Sequence, residues 1–206
     1  TIKPSLGDEA ELTEAGEFFT EAFWTSKVGG TSTLTPYQRS SIERQQVNEF
    51  RRRYGGSKLS NPADRRAELL LCKNSDGEFM GCAGVEVDLI SKADGSGGTS
   101  SRFRAPLMSN LAVGKKFRRK GIAEDLVRAT EELARKSWGY DECYLYVEKE
   151  NVAAVRLYRK LGYRQVWEDD RAKTLIPTEG GKLRSAGTVI LCMKKKIGGV
   201  GRFLPF

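Results

Sequence analysis

Between residues 107 and 138 the chain changes character twice, and the second change limits the folds open to it. An apolar run, "LMSNLAV", gives way at Gly114 to "KKFRRK", five cations in six positions that stop at Gly121. Ile122, Leu126, Ala129 and Leu133 then follow at spacings of four, three and four, one face of an amphipathic helix reaching about Trp138. A helix dipole makes the N-terminus a poor place for cations, so the knot makes sense against something strongly anionic. A strand, a basic loop, a glycine and a helix form a phosphate-binding device: the first amides of the helix have no internal partners, and glycine lets an anion approach the backbone. Neither a GxxxxGK[ST] loop nor a GxGxxG fingerprint is present. What stands there is R-x-x-G-x-A, Arg118 to Ala123, and taken alone a solvated basic loop explains it equally well.

The flanking sequence supplies an order of elements. "TIKP" reads as a short strand, and "DEAELTEAGEFFTEAFW" as a helix with Asp8 as N-cap and Glu11 completing a capping box. "TSKVGGTSTL" is a loop, and Thr35-Pro36 opens a second helix ending near Gly55-Gly56. Its last-turn arginines, Arg51, Arg52 and Arg53, suit the negative end of the dipole. "AELLLCK" and "FMGCAGVEVDLI" make a hairpin across "NSDGE". Residues 91–106 are Gly/Ser-rich and read as a flexible loop. After the basic knot come a strand "CYLYVE", a helix "ENVAAVRLYRKLG", a strand "YRQVWE", a polar loop at about 169–186 and a last strand, "GTVILCMKKKI". The pattern predicts an α+β, mixed α/β fold over one domain, residues 1–206.

Composition removes several chemistries. The chain has no histidine, so histidine-based triads and acid–base schemes are excluded. Cys72, Cys82, Cys143 and Cys192 lie in apolar runs without a CxxC pair, which reads as buried, reduced thiols and no metal site. No apolar run approaches the roughly 18 residues a membrane span needs. The net charge of +8 admits anionic partners, yet no aromatic-basic interleaving marks a nucleic-acid surface. A start at Thr1 fits a removed targeting segment or a trimmed product, and nothing in the sequence reads as a signal peptide.

The basic loop is not alone. "LAVGKKFRRKGIA", Leu111 to Ala123, and "NVAAVRLYRKLGY", Asn151 to Tyr163, together resemble the GNAT superfamily of N-acetyltransferases. The first follows the family pattern L-x-V-x-P-x-x-R-x-x-G-x-G/A, with Lys115 where proline is frequent. The second follows N-x-x-A-x-x-L-Y-x-x-x-G-F/Y at Asn151, Ala154, Leu157, Tyr158, Gly162 and Tyr163. The resemblance is specific over residues 106–168 and looser towards both ends. It implies a central, mostly antiparallel twisted sheet of six to seven strands, splayed at the ligand site and flanked by about four helices.

It also implies acetyl-coenzyme A as co-substrate. The pyrophosphate would lie on the amides of Arg119, Lys120, Gly121, Ile122 and Ala123, with Arg118 among the neutralising cations. The pantetheine arm would meet the backbone of Leu111, Ala112 and Val113, with Gly114 suiting the break in the strand. Asn151 is an N-cap that the family also uses to contact the coenzyme. Tyr158 is the candidate acid for the leaving thiolate, with a core-facing aromatic as the plain alternative. The family's frequent base position, five residues before Asn151, holds Tyr146 here, so Glu148, working through water, ranks ahead of Glu86 and Asp88 as the base. The acceptor is expected to be a protein or peptide amine, α-amino or lysine, shaped by the loops at about 25–35 and 169–186. Resemblance to plant and algal plastid members implies a plastid location, with the cytoplasm as the alternative. A small-amine acetyltransferase and a non-catalytic subunit remain open. The apolar tail at 197–206, following a glycine hinge, offers a docking segment for a larger complex.

Overall fold

A computed structural model describes residues 1–24, 35–56, 66–91, 102–177 and 183–198. Among them are β1 (Ile2–Pro4), α1 (Glu9–Phe19, running on into a π-helical turn, Thr20–Trp24), α2 (Pro36–Tyr54), β2 (Ala67–Lys73), β3 (Phe79–Ser91) and β4 (Arg102–Val113). Then follow α3 (Ile122–Glu132, closing in a π-helical turn, Leu133–Ser137), β5 (Glu142–Glu148), α4 (Val152–Lys160), β6 (Arg164–Asp169), β7 (Lys173–Pro177), β8 (Leu183–Gly187) and β9 (Ile190–Lys196). Seven strands form one sheet in the order β1-β2-β3-β4-β5-β9-β6. Every pairing in it is antiparallel except β4 with β5. The expected α+β sheet flanked by four helices is what the described residues form.

Local chemistry sets the helix starts. Thr35 and Gln38 make a reciprocal capping box at α2, with Pro36 in the first turn. At α1 only half of the expected box exists. The Asp8 side chain accepts from Glu11 N, but the Glu11 carboxylate turns back to Ser5 Oγ and Leu6 N, both at 2.6 Å. That carboxylate thus ties the end of β1 to the helix instead of capping it.

Helices cover both sheet faces. Leu12, Ala15, Phe19 and Phe50 from α1 and α2 pack on Leu69, Leu71, Cys82 and Ala112. On the other face Ile122 and Leu126 of α3 cover Leu70, Cys72 and Ala83, while Val155 and Tyr158 of α4 cover Cys143, Leu145, Leu191 and Met193. Leu126 and Leu145 are essentially inaccessible, and removing such a side chain typically costs about 2–5 kcal/mol.

Two expected loops are partly strand. The reading of 91–106 as loop is corrected at both ends: β3 includes Ser91, and β4 already begins at Arg102, pairing Arg102–Pro106 with Val87–Ser91. Ile90 and Ala105 are buried there, which compensates for the charge of "RFR". The loop at 169–186 contains a separate two-stranded sheet, Lys173–Pro177 against Leu183–Gly187, and the last strand starts at Ile190. Most of the acceptor-shaping loop expected at about 25–35, the middle of the Gly/Ser-rich loop and most of the docking tail fall on residues 25–34, 92–101 and 199–206, outside the described residues.

Candidate active site

The site begins where two strands separate. β4 and β5 pair in parallel only at Leu107–Tyr144 and Met108–Leu145. Beyond these pairs β4 continues to Val113 along β3, and β5 continues to Glu148 along β9. The divergence opens a wedge in the sheet, bordered by strand edges that pair with nothing across it. The break in β4 is not at Gly114, whose N–H bonds Met80 O at 3.0 Å. It is a bulge, with Asn110 and Leu111 placed between the pairs Gly84–Ser109 and Cys82–Ala112, opposite Ala83 alone. Asn110 has φ 54, a left-handed conformation unusual for a non-glycine residue.

At the far end of β4 the chain makes a 3₁₀ turn, Lys115–Phe117, then passes through Arg119 (φ 65) and Gly121 (φ 84) into α3. No side chain caps α3, and its first internal bond is Asp125 N to Gly121 O at 3.0 Å. The amides of Ile122 and Ala123 therefore face outward from a positive dipole end. A Cβ built on Gly121 would meet nothing within 4 Å. An uncapped helix start, left-handed backbone before it and open space above fit a phosphate of the kind the sequence suggested.

The cations do not all serve that cradle. Arg118 donates from Nε to Val113 O at 3.1 Å and from Nη2 to Ala22 O at 2.8 Å, lashing the end of β4 to the turn after α1. Lys116 pairs with Glu78. Arg119 and Lys120 have no carboxylate partner among the described residues, and the Lys120 ammonium stands 5.7 Å from the centre of the Phe117 ring. Leu111 and Val113 are half-buried under α3, and Ala112 is buried.

On α4, Asn151 Oδ1 accepts from Ala154 N at 3.2 Å, so the cap role is realised. Tyr158 is buried, its ring 5.9 Å from that of Tyr163 in an edge-on arrangement. Its hydroxyl has no hydrogen-bond partner among the described residues, and burial holds its pKa above the ordinary tyrosine value. Tyr158 packs on the same face as Met108, Leu145 and Val147.

The carboxylates lie on the other face. Glu86 pairs across from Leu107, which pairs across from Tyr144, so alternation places Glu86, Asp88, Tyr144, Tyr146 and Glu148 on one side of the sheet. Glu148 Oε1 accepts from Thr174 Oγ1 at 2.7 Å, a bond that links β5 to β7. Glu86 Oε1 lies 3.2 Å from Arg53 Nη2, whose Nε also meets Glu49 Oε1 at 2.8 Å. Asp88 Oδ1 accepts from Leu89 N at 2.7 Å. The Tyr146 ring lies 5.6 Å from Trp167, and burial first, then the charges of Cys192 and Asp88, push its pKa up to about 12. A tyrosine so held is neutral and no base. The arrangement thus sets a buried phenol on one face of the sheet and the carboxylates on the other, with Glu148 alone among them on the part of β5 that lies beyond its pairing with β4. Asn110, Tyr54 and Ser109, which border the bulge, were not singled out from sequence; the only local signal was a polar Ser-Asn pair inside an apolar strand. Among the described residues, no cluster of three or more metal-ligating side chains occurs.

A wedge between two parallel neighbours in an otherwise antiparallel sheet, followed by an uncapped helix, gives the chain the fold seen in solved acetyltransferases. The chain belongs to the acetyltransferase (GNAT) family, which matches it over residues 31–163. It is 42% identical over 59 residues to GCN5-related N-acetyltransferase 4, chloroplastic, of Arabidopsis thaliana, a match covering 29% of this chain and 20% of that protein. The match thus spans about a fifth of that relative's length. In fold it is similar to the ribosomal-protein-S18-alanine N-acetyltransferase of Escherichia coli, with a TM-score of 0.56 at 17% identity, covering 100% of this chain and 99% of that one. It is also similar to a mutant spermidine/spermine N-acetyltransferase, SpeG, of Vibrio cholerae, with a TM-score of 0.56 at 13% identity, covering 96% and 94%. At these identities the two structures share a fold with this chain and nothing finer.

Proposed function

We propose that the protein transfers an acetyl group from acetyl-coenzyme A to a primary amine of a polypeptide, an N-terminal α-amino group, a lysine ε-amino group or both, by direct attack in a ternary complex. The observation that carries this reading is the wedge: β4 leaves β5 at Met108–Leu145 and ends on the uncapped start of α3. The amides at Gly121, Ile122 and Ala123 would hold the pyrophosphate, with Arg119 and Lys120 supplying charge. The unpaired edge of Leu111–Val113 would hold the pantetheine arm.

Acetyl transfer asks for an amine without its proton, a donor for the oxyanion and a proton for the departing thiolate. A lysine amine, with a pKa of about 10.4, is mostly charged at neutral pH. Glu148, on the carboxylate face and oriented by Thr174, accepts that proton through water. The backbone N–H near Val113 meets the developing oxyanion. Tyr158, protonated because it is buried, donates to the thiolate from the opposite face. Base and acid therefore stand on different sides of the sheet and meet only through the wedge.

A protein acceptor is supported by the basic character of the chain, at net charge +8, which disfavours a polyamine funnel. The chloroplastic relative supports a plastid location. The test is acetylation of a mixed peptide pool, scored separately at free N-termini and at lysines by mass spectrometry. Acetyl groups on one or both amine types are expected. Protein that binds acetyl-coenzyme A yet modifies nothing in peptide or amine pools would instead be a non-catalytic subunit.

A further inference from the structure

The bulge in β4, just past its last pair with β5, is held from outside the strand. Asn110 Nδ2 donates to the Tyr54 hydroxyl at 2.9 Å and to Ser109 Oγ at 3.3 Å. Tyr54, the last residue of α2, is buried, with its ring edge-on to Phe50 at 5.6 Å. Its hydroxyl lies directly over Gly84 of β3: a Cβ there would stand 2.0 Å from the phenolic oxygen. The sequence therefore keeps a glycine where this hydroxyl needs room. The neighbouring Arg53 reaches Ser109 Oγ at 3.3 Å and Glu86 at 3.2 Å. Burial, opposed by the bonds from Ser109 and Asn110, raises the Tyr54 pKa, so the phenol is neutral at ordinary pH.

Ser109 follows Met108, the last residue that β4 pairs with β5. The network is thus attached at the point of divergence, immediately before the strand edge assigned to the coenzyme. An asparagine with φ 54 has two futures. Anchored, it keeps Asn110 and Leu111 opposite Ala83; released, it relaxes towards the extended region that non-glycine residues prefer. Relaxation would remove the extra residue from the bulge and turn the following amides.

We propose that Tyr54 and Asn110 are positioning residues for acetyl transfer: the Tyr54 hydroxyl holds Asn110 left-handed, and that conformation aims the backbone of Leu111–Val113 into the wedge. This rests on the coenzyme reading of the wedge given above. It makes the end of α2 part of the coenzyme site although it touches no coenzyme atom. It also explains an otherwise costly combination, a phenol buried over a glycine beside a strained asparagine.

The test uses Tyr54→Phe, Asn110→Gly and the double variant. Phenylalanine keeps the ring and its packing, while glycine takes a left-handed conformation without an anchor. In the ligand-free protein, hydrogen exchange at the amides of Leu111–Val113 should quicken in Tyr54→Phe. Acetyl-coenzyme A affinity measured by calorimetry should fall roughly 3–10-fold, the range one net hydrogen bond supplies. The double variant should recover both. Tyr54→Phe protein with wild-type exchange and wild-type affinity would overturn the proposal, as would a double variant as impaired as the single one. Wild-type protein that binds no acetyl-coenzyme A would overturn the coenzyme reading beneath it, whereas unchanged exchange in Tyr54→Phe would overturn the anchor itself.

Discussion

Met108 of β4 and Leu145 of β5 are the last residues these two strands share, and beyond them neither strand pairs with the other. Unpaired strand edges inside a sheet are an invitation to a hydrogen-bonding partner. If that partner is the pantetheine arm, adding acetyl-coenzyme A should slow hydrogen exchange at Ser109–Val113, with little change on β1 and β2 at the far edge. Mass-spectrometric exchange with and without the coenzyme would show it. Protection confined to other strands would place the ligand elsewhere.

Gly121 carries the cradle. At φ 84 it sits where a β-branched residue is strained by roughly 1–2 kcal/mol, although the space above it is open. Gly121→Val should therefore fold, with its unfolding midpoint lowered by about 2–8 °C. Coenzyme binding should be abolished, because the added methyls occupy the space a phosphate would take. Calorimetry beside a thermal melt separates the two effects. Undiminished affinity would remove the phosphate from this turn.

The two motifs could be read directly because the chemistry there is local: a glycine, an uncapped helix start and a periodic apolar face are all written within a few turns of chain. The order of the strands and helices followed from the same periodicities. What could not be read is contact across distance. Arg118 looks like any cation of the basic run, yet its partner Ala22 lies far away in the chain. Glycine is the usual sign of irregular strand backbone, so Gly114 drew the expectation of a break, while the bulge belongs to Asn110, one of the few side chains tolerant of that conformation. "RFRAP" carries too much charge to resemble a strand, and only its pairing with Val87–Ser91 makes it one.

That distinction gives a paired prediction. Arg118→Ala cuts two bonds to backbone carbonyls and should lower stability by roughly 1 kcal/mol, since the side chain is partly solvated. Lys120→Ala should leave stability unchanged and weaken coenzyme binding in a manner that fades as salt is raised. Denaturant titration and calorimetry at two ionic strengths would compare them. Equal loss of stability in both variants would contradict the division of labour.

Burial holds the thiol of Cys143 up to about 11 and those of Cys82 and Cys192 up to about 12. In the unfolded chain they ionise near 8.5. Their contribution to stability is therefore complete below about pH 8.5 and is lost progressively as pH rises through 11 and 12. The unfolding midpoint should decline over that interval, more steeply above pH 10 as the buried tyrosines join. Cys143→Ala should show a shallower decline from pH 8.5 to 10 than wild type. Identical pH profiles would mean that Cys143 is not kept neutral by the fold.

Tyr158 separates an enzyme from a fold that merely binds. The residue is buried against Tyr163, yet its hydroxyl is not among the enclosed polar atoms left without a partner, so it keeps an opening towards a ligand. If the hydroxyl protonates the leaving thiolate, Tyr158→Phe removes an interaction made mainly in the transition state. Turnover should fall by roughly 10²–10⁴-fold, with coenzyme affinity nearly unchanged. Stability should hold or rise slightly, because phenylalanine keeps the ring against Tyr163 and no hydrogen bond is lost. The raised pKa adds a second readout: the acid stays protonated through the neutral range, so no alkaline limb from Tyr158 should appear in kcat below about pH 10. Single-turnover rates on a peptide acceptor across that range, measured beside thermal melts, would test both. A Tyr158→Phe protein with full activity would take this hydroxyl out of the chemistry and leave Tyr158 as part of the core under α4.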